Sequence, residues 1–503
     1  MLETQHQALF IGGFIVYVAF LVYIGWLAAR KTNDGTNFLT GGRNLGLLLI
    51  FSTIGATVIG TGSSMGATAN GFRSGWGGSS YALGCALAMF LLAILFSHVR
   101  DKNFITMAEE NQYYFAGSVS VRKMTGILMF IAELVFIGSH MNGGSKYLQF
   151  VTGVDSFTAK VITLLAFAVY VYIGGYLAVV WTDLIQLGII IFGFSLVIMK
   201  AIPIAGGWEA IEAAYRNANN ADALSFFGLG SMGLAATLSL ILVGTIGEMG
   251  APTFRTRIYT ARDSRTAFKG FILAGIVILG FSLVPSVLGM ASFTIATHNG
   301  AETVLNNPDF AFSYLATQVL GPVLGLVLLV SGLSATMSSG DSDAIAGVTI
   351  LLEDIYPTMT GKRIPEERMK QASRRAILLT LGIAFLVTLT ANDVMTYINN
   401  VLGSLMPGMV ITMVIARFWK RVTPAAGLAS MTVGTLFGVL NLAHGGFAAM
   451  LSDTFGGPVI PVSIVVAIVL VAVTLCTKRP ELSDDEVLAI VLEGRTDLVD
   501  EKA

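Results

Sequence analysis

Apolar runs long enough to cross a bilayer recur thirteen times along this chain, and nothing else in it narrows the possible folds as much. They lie near residues 8–29, 46–70, 79–98, 121–150, 157–177, 180–200, 231–250, 268–292, 313–350, 371–391, 393–416, 424–444 and 459–477. About twenty apolar residues of helix span the hydrocarbon core. Only 12% of the 503 residues are charged, where a soluble domain carries about 25%. A chain this apolar cannot cover its own surface with polar groups, so lipid must act as its solvent. The expected fold is an all-α integral membrane protein. The run at 313–350 exceeds one span and predicts an outer helix before Pro322. The longest polar stretches, 99–120, 201–230 and 351–370, leave no room for a soluble domain, so residues 1–477 read as one membrane domain.

Basic residues fall on alternate loops. With the N-terminus outside, only Arg73, Lys146, Lys160, Lys200 and Arg216 of the thirty Lys and Arg lie outward. A wrong span count would scramble this asymmetry. It predicts about thirteen spans, an outside N-terminus, an inside C-terminus and a polar inner tail over 478–503 with room for a short helix. Residues 1–7 hold no Lys or Arg, and the run at 8–29 is too long for a signal-peptide core. Arg30 and Lys31 follow it at once, so it reads as a first transmembrane helix. The net charge of −1 offers no face for nucleic acid. Cys85 and Cys476 both sit in apolar runs and read as core thiols, not as a disulfide framework.

Two spans carry glycine where a helix interior should be. The second reads STIGATVIGTGSSMGATANG over Ser52–Gly71, and the seventh reads VGTIGEMGAP over Val243–Pro252. Each such glycine costs a helix about 1 kcal/mol against alanine, and Pro252 has no N–H to donate. Non-helical backbone at membrane depth persists only where it lines a cavity or is buried in protein. There, unwound carbonyls coordinate cations and half-helix N-termini face anions. Because the two spans are five apart, 46–200 and 231–416 form two five-helix repeats of opposite orientation, each opening on a broken helix. Residues 8–29 are then an extra N-terminal helix and 424–477 two C-terminal ones. The structural alternative is that the glycines only permit close helix packing.

A carboxylate inside the membrane costs at least about 2.5–3.5 kcal/mol and marks a functional position by default. The candidates are Glu133, Asp183, Glu248, Asp341 and Asp343. Asp183, in GGYLAVVWTDLIQ (174–186), reads from position as a helix N-cap at the inner interface. The ninth span carries SGLSATMSSGDSDAIAG (331–347), in which Ala335, Ser338, Asp341 and Ser342 share one helical face. Hard oxygen ligands of this kind suit a cation such as sodium; the alternative is serines bonding back to their own helix. Glu248, in the seventh-span break, could hold an amine or a proton, or cap the unwound segment. Glu133 could pair with a polar neighbour. His140, Asn142 and Lys146 trail down one side of the fourth span, where a lone histidine is more often a hydrogen-bonded core residue than a ligand. Gly62–Gly66 is a formal GxSxG and Gly228–Gly233 a formal GxGxxG, but neither follows a strand, so neither supports an enzyme.

These residues resemble the sodium/solute symporter family, which includes proline, pantothenate and sugar symporters and has the leucine-transporter fold. The likeness covers roughly 8–477 and is carried by GGYLAVVWTDLIQ (174–186), SATMSSGDS (334–342) and APTFRTRIYTARDSRTAFKG (251–270). LLEDIYP (351–357) and ARFWKR (416–421) also match. The resemblance implies a main sodium site on Ala335, Ser338 and Ser339, with backbone carbonyls from Phe51 and Ile54. It implies a second sodium or proton site on Asp183, Ser338, Asp341 and Ser342. Gly60, Thr61 and Ala251 would line the solute site. Ala251 stands where proline- and sugar-like members have an amide, and Glu248 where aromatic residues are common; both departures weigh against carrying over those specificities. The function implied is sodium-coupled symport of a small organic solute in the plasma membrane, with sodium as coupling ion, no other cofactor and no obligate protein partner. Glu248 leans the solute toward an amine-bearing compound such as an amino acid. A proton-coupled carrier of the same fold, a channel, and a membrane sensor signalling through a separate partner are the alternatives.

Overall fold

The computed structural model describes residues 6–29, 35–389 and 398–493. Arg30 and Lys31, the start of the 393–416 run, and Arg495 and Lys502 of the tail lie outside the described residues. Among the described residues every regular element is helical, and the only strand-like pairing is an isolated bridge between Leu45 and Ala261. Ten helical stretches among the described residues are long and apolar enough to cross a membrane. Three of the thirteen apolar runs are not among these ten. The 46–70 run is interrupted after Leu47–Val58. The 157–177 run forms the arm of the Ser156–Ile204 helix that precedes its bend at Gly175. The 371–391 run belongs to Glu366–Thr388, whose first turns hold Glu366, Glu367, Arg368 and Lys370.

Burial separates the centre of the bundle from its rim. The most apolar windows of the Val119–Thr152 helix and of the Pro322–Thr360 stretch are 78% and 72% buried, against 22% for Gln7–Ala28 and 28% for Val459–Cys476. On the rim helices Ile15, Val16, Ile464, Ile468 and Leu475 are exposed. Such faces are stable only against hydrocarbon. The chain is a multi-pass membrane protein whose hydroxyl-rich helix, Pro322–Ile350, runs through the middle.

Several joints differ from the sequence expectation. Ser156–Ile204 is traced as one helix bent at Gly175 (φ 61°, ψ −166°), where the runs at 157–177 and 180–200 meet. A Cβ there would lie 2.8 Å from the Phe38 carbonyl oxygen, so only glycine fits the bend. Asp183 lies eight residues past the bend, inside the second helical arm, and is not the N-cap its position suggested. The 268–292 run becomes two helices, Ser264–Phe281 and Leu283–Asn299, joined at Ser282. The expected outer helix before Pro322 is short, Ala311–Tyr314 running straight on into the wider-turned Leu315–Val319, with Glu302–Asn306 before it. The tail forms Asp484–Leu492, started by a capping box between Ser483 and Glu486.

One close approach positions the site. A Cβ on Gly84 would sit 2.0 Å from the Ile241 carbonyl oxygen, and one on Gly244 would sit 2.4 Å from that of Tyr81. The Ser79–Phe96 and Leu229–Gly250 helices thus touch backbone to backbone, which brings Tyr81 and Cys85 against Glu248.

Candidate functional site

Both glycine-rich spans are broken. Leu47–Val58 ends where Ile59 leaves helical geometry (φ −82°, ψ 63°), and the chain resumes through a wide turn at Gly62–Gly66 into Ala67–Ser74. Leu229–Gly250 ends at Ala251, which is extended (φ −67°, ψ 116°), and Pro252 opens the next helix, Pro252–Thr260. Proline at that first position loses nothing, because its N–H would have had no helical acceptor.

A helix end leaves its last carbonyls without backbone donors. At the first break the hydroxyl-rich helix supplies them. The Ser338 hydroxyl donates to the Ala56 carbonyl at 2.8 Å, and the Ser339 hydroxyl to the Thr57 carbonyl at 2.7 Å. Both hydroxyls also reach the Ala335 carbonyl, at 3.3 and 3.0 Å. Ala335, Ser338 and Ser339 therefore come together at the break. Phe51 and Ile54 do not join them. Both lie within the regular part of Leu47–Val58, where carbonyls are committed to the helical ladder. The carbonyls that meet the serines are nearer the break, at Ala56 and Thr57.

Asp183 and Ser342 are also brought together, with a residue between them that the sequence reading left among the inner basic charges. Arg257, fully buried on Pro252–Thr260, directs one nitrogen, Nη2, at Ser342 Oγ (2.6 Å), Thr53 Oγ1 (2.9 Å) and Thr57 Oγ1 (3.1 Å). The same nitrogen lies 3.6 Å from Asp183 Oδ2, which accepts from Thr53. Asp341 is fully buried on the same helix as Ser342, while Ser338 is engaged at the break instead. An arginine five residues past a helix-breaking proline was the available signal, missed because the stretch reads as a cytoplasmic loop.

Between the breaks lies a cavity of about 20 Å³, room for about one water. Gly60, Glu248 and Ala251 line it with Tyr81, His140 and Asp343. Thr61 stands just behind, its hydroxyl 2.9 Å from His140 Nδ1. His140 Nε2 is 3.1 Å from Asp343 Oδ2, and the Thr253 hydroxyl donates to Asp343 Oδ1 at 2.8 Å. Glu133 accepts from the Thr253 backbone N–H at 3.3 Å. Glu248 accepts from the Tyr81 hydroxyl at 3.2 Å and the Cys85 thiol at 3.6 Å, so Cys85 is more than a core filler. The Asn142 side chain is buried with no hydrogen-bond partner among the described residues, and Lys146 pairs away from the cavity, 3.7 Å from Asp309. A larger surface hollow of about 800 Å³ shares no lining residue with this cavity and holds no carboxylate. Among the described residues no group of three or more His, Cys, Asp or Glu is arranged to hold a metal ion.

On the side where Pro252–Thr260 ends, buried ion pairs tie the elements together. Arg122 meets Glu109 at 3.1 Å and Asp354 at 3.0 Å. Arg255 lies 3.4 Å from Glu110, whose other oxygen accepts from Tyr259.

Interrupted helices that meet at a small polar cavity, beside a helix whose hydroxyls take up the freed carbonyls, are the build of a secondary transporter. The sodium:solute symporter family model matches residues 38–434, and the chain belongs to that family. Among curated relatives, the sodium/proline symporter of Haemophilus influenzae is 25% identical over 446 residues, covering 84% of this chain and 86% of that one. The osmoregulated proline transporter of Bacillus subtilis is 24% identical over 481 residues, covering 92% and 94%. In fold, the chain is similar to a Na+-coupled sialic acid symporter in its substrate-bound outward-open state (TM-score 0.76, 15% identity, 94% and 99% covered). It is less similar to a nucleobase-cation-symport-1 family transporter in a closed conformation (TM-score 0.57, 13% identity, 92% and 97% covered).

Proposed function

We propose that this protein carries a small organic solute across the plasma membrane by sodium-coupled symport, with alternating access to a site between the two helix breaks. The observation that carries the reading is the joining of Ser338 and Ser339 to the Ala56 and Thr57 carbonyls. With the Ala335 carbonyl, five oxygens are held in one knot by two hydroxyl protons. A sodium ion would take these oxygens as ligands, the hydroxyl protons turning away. The set is neutral and all-oxygen, which suits a hard monovalent cation. Family membership and the fold likeness to a Na+-coupled symporter support the same reading.

In this proposal the chain crosses the membrane thirteen times, N-terminus outside and C-terminus inside, with 46–200 and 231–416 as inverted repeats. Sodium enters from outside and pins the first broken helix to Pro322–Ile350, which completes the solute site. The closed cavity then opens inward as one repeat rocks against the other. An inward-negative potential contributes about 2.3 kcal/mol per charge per 100 mV. The place that the resemblance gave to a second cation, between Asp183 and Ser342, is held by the Arg257 guanidinium. One sodium ion per cycle follows. Glu248 beside the break, and relatives named as proline symporters, lean the solute toward an amine-bearing compound.

The test is uptake into proteoliposomes under sodium, potassium and pH gradients, with candidate solutes supplied outside. Accumulation driven by sodium alone is expected, and uptake indifferent to sodium would sink the proposal. The His140–Asp343 pair and its link through Thr253 to Glu133 favour one second reading, a proton-coupled carrier. Accumulation driven by a pH gradient without sodium would select it.

A further inference from the structure

The cavity between the breaks is arranged for positive charge and against a carboxylate. Glu248 lines it and is 8% exposed. Its Oε1 accepts from Tyr81 and Cys85, while Oε2 takes no hydrogen bond from any described residue. Asp343 lines the same space. No Lys or Arg does, and His140, already against Asp343, is the sole basic group in the lining. Two half-helices, Leu47–Val58 and Leu229–Gly250, bring their C-terminal ends to the breaks, and a helix C-terminus carries partial negative charge. The rest of the lining is apolar at Val58, Phe136, Phe254 and Ile398 and hydroxylic at Thr57, Ser63, Ser139 and Ser339.

A solute carboxylate would be expected to dock on a half-helix N-terminus. One such terminus is Pro252–Thr260, and its chain has already filled it. Pro252 has no N–H, and the next donor, Thr253 N–H, is taken by Glu133 Oε1 at 3.3 Å. The Thr253 hydroxyl lies 3.2 Å from the same oxygen and 2.8 Å from Asp343 Oδ1. At this terminus an incoming carboxylate would meet two fixed carboxylates and no free donor, and the other half-helix entry, at Gly62 and Ser63, faces a cavity already lined by Glu248 and Asp343.

We infer that the solute is a small organic cation that bears an ammonium group and no carboxylate. Its ammonium sits against Glu248 Oε2, and its apolar part lies on the Phe136, Phe254 and Ile398 wall, where aromatic faces also favour a cation. A bare metal ion suits the place less well. Hard cations take about six oxygens, and Glu248 has beside it one tyrosine hydroxyl and a thiol. At about 20 Å³ the cavity must widen to admit such a solute, so the solute enters when the breaks part. The inference rests on the sodium-symport reading and narrows its solute from amine-bearing compounds in general to those without a carboxylate.

The test is thermal unfolding of the purified full-length protein in sodium, and again in potassium. One matched set of probes varies charge on one ring: pyrrolidine as cation, L-proline as zwitterion and pyrrolidone as neutral amide. Ethanolamine and putrescine extend the cations to primary amines. At least one of the three amines is expected to raise the unfolding temperature in sodium, and L-proline and pyrrolidone are not. In Glu248→Gln the apparent affinity for that amine should fall about tenfold or more, while stabilisation by sodium alone is kept. Stabilisation by L-proline or pyrrolidone, by none of the amines, or by an amine whose affinity is unchanged in Glu248→Gln would overturn the inference. A protein that sodium itself does not stabilise would overturn the symport reading instead, so the two failures are separable.

Discussion

The Ser338 hydroxyl and the Ala56 carbonyl lie 2.8 Å apart, although one belongs to the central helix and the other to the end of a helix that breaks two residues later. The bond forms because the break strips Ala56 of its helical donor. It couples the position of the first broken helix to the chemistry of the central one, which is what an ion placed there would control.

Ser338→Ala removes one oxygen from that knot and leaves the Ala56 carbonyl buried without its donor. The half-saturating sodium concentration for uptake should rise about tenfold or more. Ser339→Ala should act in the same direction through Thr57. Sodium titration of uptake in proteoliposomes checks both, and an unchanged sodium requirement would move the ion elsewhere.

Gly60→Ala should abolish transport with little loss of folded protein. A Cβ at that position would lie 2.6 Å from Ser339 Oγ and 3.0 Å from the His140 ring. It would push apart the two helices that must close together, at a point where the first helix is already unwound. Detergent-extracted yield and unfolding temperature should stay near wild type while maximal uptake falls, and retained uptake would show that the contact is not needed for closure.

Arg257→Met should make Asp183 a buried charge without its counter-charge. Breaking one partner of a buried pair costs about 3–5 kcal/mol, and the double change with Asp183→Asn should recover much of that loss. A thermal-unfolding double-mutant cycle measures the coupling. Wild-type uptake should show a sodium Hill coefficient near one, and a steep, two-ion dependence would contradict the role given to the guanidinium.

Arg122→Ala should be among the most damaging changes outside the cavity. It strands Glu109 and Asp354, both fully buried, at a cost of about 3–5 kcal/mol. Loss of folded protein on size-exclusion chromatography is the expected outcome, and a stability within about 1 kcal/mol of wild type would show that water reaches the pair.

What the sequence made legible was local. Both breaks could be read from glycine runs and Pro252, because helix failure depends on the residues that fail. The stripe of Ala335, Ser338, Asp341 and Ser342 could be read because one helix fixes the spacing, whereas Ser339 came only with the family resemblance. The partner carbonyls were misplaced to Phe51 and Ile54, because the register between two separate helices is set by packing, and the true acceptors lie beside the break itself. Arg257 was counted as a cytoplasmic charge, since charge counting sees a loop where the structure has the second half of a broken helix. Glu133 at Thr253 and His140 at Asp343 join helices far apart in the chain, and nothing at either residue announces its partner.

Arg257 has one more consequence. A symporter must return empty after each delivery, and a negatively charged pocket exposed on that journey would pick up whatever cation it met. With a guanidinium tethered beside Asp183, the pocket carries its own counter-ion through the return. In the proposed cycle the carrier then resets without a passenger at that position, which would protect the solute gradient from being run down by stray ions.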